Sequence, residues 1–97
     1  MKQLPENVVA YQHTLEFTNS TIPDGLFRAH STKAGVWGLI VLLEGSLMYR
    51  ILEPNHEEIR LSVERFGIID PMIRHEAEAI QPVVFYVEFH RQRSSLN

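Results

Sequence analysis

Apolar and polar residues alternate with a period of two through most of this chain, and no stretch sustains an apolar stripe at helical spacing. Tyr11, His13, Leu15 and Phe17 alternate with Gln12, Thr14, Glu16 and Thr18, and Ile59, Leu61 and Val63 alternate with Glu58, Arg60 and Ser62. Period two is the signature of a strand with one wet face. Turn signals separate these runs: Pro23-Asp24-Gly25, Glu44-Gly45, Glu53-Pro54-Asn55-His56, Gly67, Pro71 and Ile80-Gln81-Pro82. Glu44-Gly45 reads as the turn of a hairpin, with Gly45 in the left-handed conformation that Glu tolerates poorly. Short strands with turn signals roughly every 8–12 residues specify an all-β, antiparallel barrel or sandwich. Strands are expected near 11–17, 36–43, 46–52, 57–63 and 83–89, with short ones at 26–30 and from His75.

With 97 residues, the chain is expected to form one domain, its ordered core running from about residue 4 to 91. Apolar residues make up 44% and charged residues 22%, a globular balance that argues against general disorder. A formal charge of −3, with basic residues clustered only at Arg91-Gln92-Arg93, argues against nucleic acid as a partner. The absence of cysteine excludes disulfides, thiolate metal sites and cysteine nucleophiles. The longest apolar run, residues 36–43, is far shorter than the roughly 18 residues of a membrane span, and residues 1–6 have no apolar signal region. A cytoplasmic location without membrane association is the resulting expectation. No nucleophile elbow, phosphate loop, dinucleotide fingerprint or calcium loop is present.

His30 and His75 each stand at the start of a strand-like run, and Pro71 precedes the second. A small barrel can bring two such imidazoles into one cavity, where a divalent metal is the economical explanation. A third ligand is needed to hold zinc or iron firmly, and Glu88 is the candidate. It is embedded in Phe85-Tyr86-Val87-Glu88-Phe89, where a carboxylate is costly unless paired or ligating. The final strand is expected to pair with the one from His75 across a turn at Ile80, placing Glu88 opposite Ile73 and Arg74. A register slip of one residue would turn it to solvent instead.

Ser31-Thr32-Lys33-Ala34-Gly35 is a polar stretch feeding a buried strand, as expected at a barrel mouth. Lys33 is there either a cation for an anionic ligand or a solvated loop lysine. Trp37 and Tyr86 read as core or cavity-wall aromatics, so the candidate ligand pocket is Lys33, Trp37 and Tyr86. Glu78 could orient His75, although i and i+3 face opposite sides of a strand. His13 lies on the apolar parity of its run and reads as a core or interface residue. His56 reads as solvent-exposed and His90 as a strand end.

Two segments, residues 30–45 and 67–79, resemble the two motifs of the cupin superfamily. Within it, the chain is most similar to the small tellurite-resistance-B/YeaR-like family. The resemblance is carried by His30 with Lys33, Gly35-Val36-Trp37, Gly45, Pro71 before His75, Glu78-Ala79 and the closing run from Val83 to Phe89, and it extends from about Leu4 to His90. It implies a single-domain cupin-like double-stranded β-helix and, in some members, a divalent metal. Longer members fuse a similar domain to a methyltransferase domain, whose activity does not carry over to these residues. The sequence departs from the general cupin pattern at Thr32, where a second histidine is usual, and in having no carboxylate near Trp37-Gly38.

The expectation is therefore a small metal-binding cupin, with zinc or iron on His30, His75 and Glu88, accommodating a small polar or anionic molecule and linked by resemblance to stress or tellurite resistance. A cupin-type metalloenzyme, a dioxygenase or isomerase, is the second reading. A metal-free binding or sensing module is the third. Open sheet edges, together with the habits of small cupins, suggest a homodimer.

Overall fold

A computed structural model describes residues 3–22 and 31–93. All regular secondary structure among the described residues is β: β1 (Val8–His13), β2 (Phe17–Thr18), β3 (Val36–Glu44), β4 (Leu47–Ile51), β5 (Glu57–Leu61), β6 (Gly67–Ile69), β7 (His75–Ala79) and β8 (Val84–Gln92). They form two antiparallel sheets. The larger has the order β1-β8-β3-β6, with β2 also paired to β8, and the smaller has the order β5-β4-β7. The expected strand at 26–30 lies outside the described residues.

The all-β expectation matches this architecture, but three pairings differ from the sequence reading. β3 and β4 are not a hairpin; the chain leaves one sheet at Glu44 and enters the other at Leu47. Gly45 does adopt a positive φ of 77°, and its role is to let this crossing run against a second crossing at residues 80–83. A Cβ on Gly45 would meet the carbonyl oxygen of Pro82. The Ile80 amide donates to the Ser46 carbonyl at 3.4 Å, joining the two crossings.

The second difference is that β7 pairs with β4, whereas β8 lies between β1 and β3 in the other sheet. The third is that the expected strand at 11–17 is split. Pairing of β1 with β8 shifts between Ala10 and Gln12, so Tyr11 is an extra residue. Such a bulge inverts the facing of the residues after it. His13 is consequently exposed, not a core residue.

From β3 onward the chain visits the sheets alternately: β3 in the larger, β4 and β5 in the smaller, then β6, β7 and β8 in turn. The inward faces make the core. Ile40, Leu42, Phe85 and Val87 come from the larger sheet, and Leu47, Tyr49, Leu61 and Ala77 from the smaller. Fully burying a side chain such as Leu47 contributes about 1.5–3 kcal/mol before entropy is counted.

The outward face of the smaller sheet is charged. Arg50 on β4 donates to Glu78 at 2.7 Å, to Glu58 at 2.9 Å and to Glu76 at 3.5 Å. The hydrogen bond from Arg50 holds the Glu58 carboxyl below the usual glutamate range, aided by the positive charges of Arg50 and His56. This contribution to folding is present above the ordinary value of 4.5 and is lost as pH falls through the depressed folded value. In an NMR pH titration, Glu58 should therefore titrate below an ordinary glutamate, and Arg50→Met should return it upward. An unchanged midpoint in the variant would contradict the assignment.

A candidate ligand groove beside the Lys33 turn

The local sequence accounts for the Lys33 turn. The Val36 amide donates to the Lys33 carbonyl at 3.1 Å, closing Lys33-Ala34-Gly35-Val36 with Gly35 at φ 77° in the third position. A positive φ there is what glycine supplies at little cost. Thr32 anchors the turn from below: its hydroxyl lies 2.9 Å from the Val36 carbonyl and 3.4 Å from that of Asp70, and its carbonyl accepts the Met72 amide at 3.2 Å. Met72 takes a φ of 63°, a conformation that costs a non-glycine residue roughly 1–3 kcal/mol and must be held by its surroundings.

Ser31, Thr32, Lys33 and Val36 line a groove of about 290 Å³ together with Tyr11, Gln12 and Phe89. Phe89 packs against the core and forms the floor. Among the described lining residues there is a lysine and no carboxylate. Arg91, which pairs with Val36 across the sheet, holds its guanidinium 4.6 Å from the centre of the Tyr11 ring. Positive charge thus gathers here in a chain of formal charge −3.

His75 is buried, only 1% exposed, on the inward face of the smaller sheet. Its Nδ1 lies 3.0 Å from the Ile73 carbonyl, which can only accept, so this nitrogen carries the proton. The ring meets Tyr49 edge-on at 5.7 Å, and the Tyr49 hydroxyl donates to the Ile68 carbonyl at 3.3 Å. Burial pushes the Tyr49 hydroxyl well above the usual phenol range, with Asp70 and Glu57 adding to the effect. This phenol stays protonated and acts as a donor.

Glu88 does not join His75. It lies on β8 beside Tyr86, on the parity opposite the core residues Phe85 and Val87, and faces away from the smaller sheet. Its carboxylate accepts a 2.8 Å hydrogen bond from His90 Nε2, which accounts for its place among apolar neighbours. The expected register failed because β8 pairs with β1 and β3 and not with β7. Glu88 and Tyr86 instead line a second groove, of about 480 Å³, with His13 through Glu16. Tyr86 stacks at a tilt on His13, with centroids 5.7 Å apart.

Trp37 pairs with His90 and does not line the Lys33 groove. Of the expected pocket, Lys33 remains, while Trp37 and Tyr86 belong elsewhere. Glu78 is bonded to Arg50 and does not orient His75. His56 is exposed, as expected, but His90 is buried within β8. His30 lies outside the described residues. Among those described, no three His, Asp or Glu side chains are grouped so that they could hold a metal ion. Of the expected ligands, His75 and Glu88 are thus not brought together: they lie on different sheets, and Glu88 faces away from the core that His75 enters. Tyr11, Gln12 and Phe89 were missed as groove residues; the alternation from Tyr11 to Thr18 runs unbroken in the sequence and carries no sign of the bulge at Tyr11.

The fold and groove define a small two-sheet β domain with a ligand-sized concavity at one end. The TehB-like domain model matches residues 12–87, and the chain belongs to that family, whose name carries the link to tellurite resistance. Among solved structures, an Escherichia coli K12 protein determined as a structural-genomics target superposes with a TM-score of 0.86 at 23% identity, over 97% of this chain and all of that one. TehB from Haemophilus influenzae superposes with a TM-score of 0.81, also at 23% identity, over 90% of this chain but 32% of its own. At that identity the likeness establishes the fold alone. No curated protein matches the sequence. No helix among the described residues is long and apolar enough to cross a membrane.

Proposed function

We propose that this chain is a small-molecule binding module, built as a cupin-type double-stranded β-helix, that accommodates an anion in the groove beside Lys33. The alternation of strands between two sheets from β3 to β8 supports the cupin reading. The observation that carries the function is the lining of the groove: a lysine ammonium and polar side chains, no carboxylate among the described lining residues, and Arg91 stacked on one wall. A groove of one sign attracts counter-charge and concentrates it. The link to tellurite resistance places an oxyanion, tellurite, among the molecules to be tested.

An amide NMR titration with acetate, orthophosphate and tellurite tests the reading. Saturable shifts confined to residues 11–12, 31–36 and 89–91 are expected for at least one anion. Lys33→Gln should weaken that binding by about tenfold, the loss of one charge-assisted contact. Unsaturable shifts with all three anions, or equal affinity in the variant, would remove the proposal.

A further inference from the structure

We infer that the groove selects an organic monoanion with an apolar body, a small carboxylate, over a bare inorganic oxyanion. This rests on the anion-binding reading above and concerns what else the groove requires of its ligand.

Size is the first argument. An oxyanion of three or four oxygens occupies the space of two or three waters, roughly 60–90 Å³ at about 30 Å³ per water. The groove offers about 290 Å³, several times more. An inorganic ion would leave the remainder to solvent.

The lining supplies the second. Tyr11, Val36 and Phe89 present two aromatic rings and a branched aliphatic chain, and Phe89 joins the core behind it. This surface gains free energy from covering by apolar groups and gains little from an oxyanion.

The third argument is the kind of donor that the described lining presents, which is side chains. Sites for inorganic oxyanions commonly use several backbone amides pointed at the ion. Here the Val36 amide is taken by the Lys33 carbonyl, and the Met72 amide by the Thr32 carbonyl. The Thr32 hydroxyl is engaged with the carbonyls of Val36 and Asp70. Among the described lining residues, the side-chain donors left for a ligand are the Lys33 ammonium, the Ser31 hydroxyl and the Gln12 amide, with Arg91 next to the Tyr11 wall. Such a set suits a two-oxygen, singly charged head group. The carboxylate would meet Lys33 while the carbon skeleton lies over Phe89 and Val36 against Tyr11.

Isothermal titration of the full chain with phenylacetate, its uncharged analogue phenylacetamide, and orthophosphate tests this directly. Phenylacetate should bind at least about tenfold more tightly than either of the others, one factor reporting the charge and the other the apolar body. Tyr11→Ala, at an exposed wall position with little risk to folding, removes apolar wall and the ring beneath Arg91, and should weaken phenylacetate severalfold more than it weakens orthophosphate. Orthophosphate binding as tightly as phenylacetate would overturn this inference and leave the anion reading standing. Phenylacetamide matching phenylacetate, or no binding by any of the three, would overturn both.

Discussion

Gly45→Ala should destabilise the protein by about 2–5 kcal/mol, a large share of the 5–15 kcal/mol typical of a small domain. Two costs combine. A left-handed backbone costs an L-residue roughly 1–2 kcal/mol. The added methyl group also drives into the Pro82 carbonyl, where two chain crossings touch and neither can retreat without disturbing a sheet. Gly35 is the internal control. It has the same φ of 77°, but a Cβ there has no atom within 4 Å, so Gly35→Ala should cost only the backbone part. Urea unfolding of the two variants separates conformational strain from collision. Equal midpoints would show that the crossings can move apart.

Tyr49→Ala should cost about 3–5 kcal/mol, because the side chain is 1% exposed and among the largest in the core. Tyr49→Phe keeps the ring and strands the Ile68 carbonyl, for a loss of about 1–2 kcal/mol. The conservative variant also has a pH signature. Because burial raises the folded phenol, its stabilising contribution is fully present below the unfolded value of 10.0 and declines as pH rises beyond it. Wild-type stability should fall above about pH 10, and the fall should be smaller in Tyr49→Phe. Parallel curves for the two proteins would show that Tyr49 ionises as readily folded as unfolded.

The sequence made individual strands visible more readily than their partners. Alternation located β3, β4, β5 and β8 to within a few residues, since facing is written locally at every second position. Partner choice is not local. The same Gly45 that signals a tight hairpin serves equally well for a change of sheet, and only the packing at Pro82 distinguishes them. The error at Glu88 comes from that gap: pairing β8 with β7 turned a carboxylate bonded to His90 into a supposed partner of His75. Lys33 was legible because a polar, glycine-ended stretch before a buried strand marks a rim. Tyr11 and Phe89, which complete its groove, come from strands far away in sequence.

The position of β8 has a consequence for how this protein is made. It is the strand on which β1, β2 and β3 all depend, yet it comes after them in chain order. A chain emerging from the ribosome therefore releases β1 and β2 long before their hydrogen-bonding partner exists. The smaller sheet has β4, β5 and β7 in hand earlier and can close first. Until β8 arrives, the backbone edges of β1, β2 and one side of β3 stay open to any passing strand, which makes synthesis the interval of greatest exposure to aggregation.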